Sequence, residues 1–220
     1  MPKAEPNLYL AGVVAELEKT WPGNRTVNLV FHGHSVPAGY FATPTVDTFN
    51  AYPHLVQVEL KRRFPRAVLN AIVTAVGGEN SEMGARRFED DVLPHRPDVL
   101  FIDYGLNDRA LGLPRADQAW RRMIEASLSA RLPVILLTPT HDETQAAGYA
   151  GADRDLLPAH AEQIRRLADE YGVGLADSFA AFQRHGETGS IRDLLSWVNH
   201  PNRRGHELVA GEVARWFPQP

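Results

Sequence analysis

Five short aliphatic runs, each followed by a stretch whose apolar residues recur every three or four positions, constrain this chain more than any other feature. The runs are Val27–Phe31, Ala67–Val73, Val99–Ile102, Val134–Leu137 and Val173–Ala176. Near-continuous apolar runs of this length suit strands covered on both faces, as in a parallel sheet. Between them, Tyr52, Leu55, Val56 and Leu60 share one helical stripe; Trp120, Met123, Ile124 and Leu128 share another; Ile164, Leu167 and Tyr171 form a third. Val209, Val213, Trp216 and Phe217 lie on one face of a last helix. Further helices are expected from about Leu8 to Leu17 and from about Ser81 to Leu93. Strand–helix alternation predicts a three-layer α/β/α sandwich around a five-stranded, mainly parallel sheet. The 220 residues fit one domain over 1–220, with the helix at about 8–17 packed onto it.

Composition removes several function classes. A net charge of −4 with interspersed signs gives no basic footprint for nucleic acid, so no nucleic-acid partner is expected. No run approaches the length of a membrane span, and "MPKAEPNLYL" lacks the series of a signal peptide, so no membrane partner is expected and the location is expected to be cytoplasmic. The absence of cysteine excludes disulfides, thiolate metal sites and a cysteine nucleophile.

In parallel α/β sheets, ligands bind beyond the carboxyl ends of the strands, so a motif directly after a strand carries weight. Gly33-His34-Ser35 and Gly39 follow the first run, Gly77-Gly78 the second, and Gly105-Leu106-Asn107-Asp108 the third; His200 stands in "VNHPNRRGHELVA" just before the last helix. A serine hydroxyl becomes a nucleophile when a neighbouring base takes its proton, and histidine titrates near the working pH. A developing oxyanion needs N–H donors aimed beforehand, which a glycine amide and an asparagine side chain supply. Taken singly, each residue also has a plainer reading. Ser35 suits a helix cap, Asn107 an Asx-turn and Gly77-Gly78 a bend. Those readings leave the shared rim unexplained.

The order Ser, Gly, Asn, His, each in its own block from about Val27 to Ala210, resembles the SGNH hydrolases, also called GDSL-type esterases and lipases. Gly33-His34-Ser35 resembles the Gly-Asp-Ser block, "PDVLFIDYGLND" the strand leading into Gly-x-Asn-Asp, and "HPNRRGHELVA" the histidine block. The resemblance implies a flavodoxin-like sheet and an esterase without metal or organic cofactor. It also implies Ser35 as nucleophile and His200 as general base, then acid. The oxyanion hole would comprise the Ser35 and Gly78 amides with the Asn107 side chain.

Two departures stand out. His34 replaces the aspartate of Gly-Asp-Ser, a change expected to alter the loop's hydrogen bonds more than the mechanism. Trp197 stands three residues before His200, where the family places an aspartate. Indole only donates a hydrogen bond, so it cannot accept from a histidine N–H. Loss of the orienting carboxylate costs on the order of ten-thousand-fold in a triad enzyme. Candidates for orienting His200 are Asp193, Asp142, Glu143 or, favoured here, a backbone carbonyl in the Ser196–Asn199 loop, giving a Ser35–His200 dyad. Asp108 is expected to hold the loop that presents Asn107, and His206 to be a surface or packing residue. The Arg86-Arg87 and Arg203-Arg204 pairs read as solvated faces.

Two other functions remain open on the residues alone. His32, His34, His141, Asp142 and His200 would suit a divalent metal, although H-x-H barrel hydrolases need eight strand–helix units and this chain has room for about five. A binding module without catalysis on the same fold is the other. For an esterase, the rim loops mix Tyr40 with Arg109 and Glu79 as substrate-binding candidates and offer no long apolar insertion. The expected substrate is therefore a short acyl ester, such as acetyl, of a small polar alcohol or carbohydrate.

Overall fold

The computed structural model describes residues 3–218. Five strands form one sheet: β1 (Thr26–Gly33), β2 (Val68–Val73), β3 (Val99–Asp103), β4 (Val134–Leu137) and β5 (Gly174–Ala176). Their order is β2-β1-β3-β4-β5 and every ladder is parallel. Ten α-helices accompany them: α1 (Pro6–Tyr9), α2 (Ala11–Glu18), α3 (Ser35–Ala38), α4 (Tyr52–Arg63), α5 (Ser81–Arg86), α6 (Phe88–Asp91), α7 (Leu113–Ser129), α8 (Leu156–Tyr171), α9 (Ser178–Gly186) and α10 (Arg203–Ala214), counted among the described residues.

The alternation of side chains along each strand divides the core into two layers. Leu29 and Phe31, Val99 and Phe101, and Ile135 and Leu137 face α2, α4, α9 and α10, where Leu17, Val56, Leu60, Phe182 and Val213 meet them. Val30, Leu100, Ile102, Val134 and Leu136 face the other way, onto Phe88, Trp120, Met123, Ile124 and Leu167. Phe31 and Phe101 stack at 4.5 Å across β1 and β3, fixing the centre of the first layer.

Two expected helices are broken. The span from Ser81 to Leu93 divides into α5, α6 and a 3-10 turn, because Arg87 leaves helical geometry (φ −100°, ψ 4°) and Pro94 follows in the turn. The N-terminal helix divides at Leu10 (φ −103°, ψ 18°) into α1 and α2. Among the described residues no helix is long and apolar enough to cross a membrane.

This topology positions the site. The chain builds β2 on one side of β1 and β3 on the other, so the switch point lies between β1 and β3. Gly33 ends β1 beside Asp103, the end of β3. A side chain at Gly33 would stand 2.4 Å from the Asp103 carbonyl oxygen, so this close approach requires glycine.

Candidate active site

Ser35 is the first residue of α3, directly beyond β1. His34 is extended and caps the helix, its Nδ1 accepting from the Val36 amide at 3.2 Å. The first amides of a helix have no intrahelical acceptor. Among the described residues, the Ser35 and Gly78 amides donate to no protein acceptor. After four residues α3 stops at Gly39, whose φ of 92° turns the chain away and leaves the Ser35 hydroxyl at the sheet's edge.

His200 arrives from the far end of the chain. An antiparallel bridge between Leu195 and Pro201 closes its loop, and the Ser196 amide donates to the His200 carbonyl at 2.9 Å. The imidazole Nε2 lies 3.0 Å from Ser35 Oγ, across 165 residues of sequence. Its Nδ1 lies 2.7 Å from the backbone carbonyl of Phe41. A carbonyl only accepts, so the proton sits on Nδ1 and Nε2 carries the lone pair that receives the Ser35 hydroxyl hydrogen. Both residues are buried. Burial pushes the His200 pKa below its ordinary value, opposed by the Phe41 carbonyl and assisted by nearby His34.

The loops after β2 and β3 are clamped together. Asn107 Nδ2 donates to the Glu79 carbonyl at 2.8 Å, which orients the amide and, among the described residues, leaves its second N–H without a protein acceptor. Asp108, on the next residue, accepts from the Ser81 amide at 2.8 Å and from Trp120 Nε1 at 2.7 Å. Burial pushes the Asp108 carboxyl up, against these donors. Gly78 has φ +83°, a left-handed conformation that glycine adopts without penalty, in a turn closed by the Glu79 amide on the Val76 carbonyl.

The residues offered as orienters of His200 are engaged elsewhere. Asp193 completes a capping box with Ser190. Asp142 pairs with Arg109 at 2.6 Å and caps the turn at Thr144. Glu143 faces Arg192, and its amide takes the Val198 carbonyl. The acceptor on Nδ1 is a carbonyl, but it belongs to Phe41 and not to the Ser196–Asn199 loop. Trp197 is 54% exposed.

Of the substrate-binding candidates, Tyr40 stays at the site, its ring 6.2 Å from that of His200 and against Gly77. Arg109 is held by Asp142, tying the loop after β3 to the loop after β4. Glu79 turns its carboxylate inward onto Arg87, so one member of the Arg86-Arg87 pair is not a solvated face. His206 is fully buried and stacks on Phe41 at 4.9 Å, a packing role and not a surface one.

The H-x-H pair does not converge. His32 bonds Thr74 and Gly84, whereas His34 caps α3 and faces Asp103 with Nε2 at 3.3 Å. Among the described residues no three His, Asp or Glu side chains form a cluster able to hold a metal ion. Residues whose roles the sequence patterns did not show include Phe41, Tyr104, Asp103 and Arg87, the last expected on a solvated face. Only Asp103 and Tyr104 carried a signal, lying inside the "FIDYGLND" block.

The GDSL-like Lipase/Acylhydrolase family model matches residues 31–208, most of the chain. The chain belongs to that family. It is accordingly a carboxylic ester hydrolase. Among solved structures, this hydrolase is similar to an acetylxylan esterase (Axe2) from Geobacillus stearothermophilus, with TM-score 0.76 and 20% identity over 88% of this chain and 95% of that one. Forms of that enzyme with a serine, a histidine or an aspartate replaced are described as catalytic mutants. It is also similar to LAE5, a hydrolase from a lake metagenome in Spain, with TM-score 0.69 and 23% identity over 87% of this chain and 94% of that one. At these identities the likeness establishes the fold. A curated relative, an uncharacterised lipoprotein (YqeF) of Bacillus subtilis, is 33% identical over 99 residues, a match spanning 41% of each chain.

Proposed function

We propose that the esterase works through a Ser35–His200 dyad. The observation that carries this reading is the 3.0 Å contact between His200 Nε2 and Ser35 Oγ, with the tautomer set by the Phe41 carbonyl at 2.7 Å. His200 takes the hydroxyl proton as Ser35 Oγ attacks the ester carbonyl. The Ser35 and Gly78 amides and the second N–H of Asn107 receive the oxyanion. The protonated imidazole then donates to the leaving alcohol, and an acyl-enzyme forms; water activated by the same imidazole releases the acid. The Phe41 carbonyl fixes ring orientation and solvates Nδ1–H. It brings a dipole where a triad brings a full charge, so turnover is slower than with a carboxylate there.

The substrate we propose is a short acyl ester, acetyl first, of a polar alcohol such as a carbohydrate. Supporting it are the tight surroundings of Ser35, where Tyr40 lies against Gly77 and beside His200, and the polar residues of the neighbouring loops. The fold likeness to an acetylxylan esterase is in keeping with this. The test is hydrolysis of acetyl, butyryl and octanoyl esters with Ser35→Ala as control, together with labelling by a fluorophosphonate. Acetyl preference, serine-dependent turnover and labelling that Ser35→Ala abolishes are expected. Octanoyl preference overturns the substrate reading, and activity surviving Ser35→Ala overturns the dyad.

A further inference from the structure

Among the described residues the carboxylate of Glu79 is one of four buried acids, and it lies directly after the oxyanion glycine with its oxygens on Arg87. Its two oxygens accept a forked set of bonds from Arg87: Nε at 3.1 Å and 2.9 Å, Nη2 at 2.6 Å. The Tyr104 phenol completes the shell. Arg87 Nη2 donates to the Tyr104 oxygen at 3.2 Å, and the Tyr104 hydroxyl reaches Glu79 Oε2 at 3.4 Å.

Behind Tyr104 lies His32, wholly buried in the strand that leads to Ser35. Its Nδ1 meets the Thr74 hydroxyl at 2.9 Å and its Nε2 meets both the Gly84 carbonyl and the Tyr104 oxygen at 3.1 Å. Because a carbonyl only accepts, the His32 proton must sit on Nε2, Thr74 donates to Nδ1, and Tyr104 is left to donate towards Glu79. Burial, with Arg87 nearby, pushes His32 down to about 4, so it remains neutral at working pH. Every hydrogen in the chain from Thr74 to Glu79 thus has one direction, and the donors from Arg87 and Tyr104 converge on a single carboxylate. Gly84 is part of the arrangement: a Cβ there would stand 2.3 Å from the Tyr104 hydroxyl.

What this shell holds is a main-chain position. Glu79 is bonded to Gly78 on one side, and its carbonyl is the acceptor that orients Asn107. We infer that Glu79 and Arg87 are positioning residues for the oxyanion hole: the ion pair, braced by Tyr104 and His32, fixes the Glu79 peptide and through it the second N–H of Asn107. This rests on the esterase reading above. Without the pair the Glu79 carbonyl loses its anchor, and the asparagine amide is free to rotate away from the oxyanion.

The decisive measurement compares kcat and KM for an acetyl ester in the wild type, Glu79→Gln, Asn107→Ala and the double variant. Glu79→Gln is expected to lower kcat about ten- to a hundredfold with KM changed less than about threefold, the pattern of a loss felt in the transition state. In the Asn107→Ala background the same replacement is expected to cost less than about threefold, because the group it acts through is already gone. Equal losses in both backgrounds, or an unchanged kcat in Glu79→Gln, overturn the inference.

Should Glu79→Gln fail a thermal-melt check of folding, Arg87→Lys serves in the same cycle. It keeps the charge and gives up the planar fork, so an intermediate loss is expected. A readout independent of turnover is the Asn107 side-chain amide in a ¹⁵N–¹H correlation spectrum, which is expected to shift or broaden in either variant. An unmoved resonance overturns the inference even if no ester is hydrolysed. A wild type that neither hydrolyses esters nor reacts with a fluorophosphonate overturns the esterase reading instead.

Discussion

Lowering the pH from 7 to 5 asks four imidazoles to take up protons in the protein interior. His32, His141, His160 and His206 are all buried, and both ring nitrogens of His141 lack a partner among the described residues. Burial holds His32, His141 and His160 down to about 4 and His206 to about 3. In the unfolded chain each returns to about 6.5. The native state therefore binds fewer protons than the unfolded state across this window. Stability is intact above pH 6.5 and is lost as the pH falls from there towards the folded values near 4 and 3. At pH 5 the unfolded chain has nearly completed its uptake while the native state has hardly begun, a difference of about 2 kcal/mol per histidine and about 8 kcal/mol for the four. Whole-domain stabilities are about 5–15 kcal/mol, so the fold is expected to fail near pH 5. Urea unfolding followed by circular dichroism at both pH values measures the loss directly. His206→Asn keeps an acceptor for the Tyr52 amide, which now donates to His206 Nδ1 at 3.2 Å, and should remove about a quarter of the pH dependence. Equal stability at pH 7 and pH 5, or an unchanged slope in that variant, would refute the reasoning.

Two further outcomes concern His200. Because its pKa lies below the ordinary histidine value, the neutral base persists as the pH falls below about 6.5, and kcat/KM should hold level until the shifted pKa is reached or the fold fails. Brief assays after a pH jump separate the two events; a decline that sets in above pH 6.5 without unfolding contradicts the assignment. Trp197→Asp restores an acid at the family's usual position, yet Nδ1 has one hydrogen and Phe41 already holds it, while the side chain at 197 stands in solvent. The expected change in kcat/KM is less than about threefold, since an exposed charge is well screened. A gain above tenfold in steady-state assays would mean that the carbonyl is readily displaced.

What a sequence reader can see here is set by the range of the interaction. Strand runs and helical stripes are local, so the three-layer sheet and the rim where Ser35, Gly78, Asn107 and His200 gather were legible from period and order. Helix boundaries were less so: the breaks at Arg87 and Leu10 are single non-helical residues, and neither residue type marks a break by itself. Asp193 and Asp142 looked available because sequence shows charge but not local capping, which occupies both. The role of Phe41 was invisible for a deeper reason. Its contribution is a peptide oxygen, which every residue carries, so no residue type marks it; only the return of the chain at Gly39 brings it to His200. Arg87 read as one of two neighbouring surface cations because its partner lies eight residues back, in the loop between β2 and α5.

The oxygen of Phe41 gives this enzyme a peculiar kind of robustness. Any codon at position 41 still encodes an amide plane, so a point mutation can tilt or unseat the acceptor but cannot delete it. A triad aspartate, by contrast, disappears with one nucleotide. Divergence at this locus would have to proceed through the path of the main chain between Gly39 and Asp47, whose ends are joined by the Asp47 amide on the Gly39 carbonyl at 2.7 Å. Insertions or deletions in that span, more than replacements within it, are where this lineage would lose or retune its base.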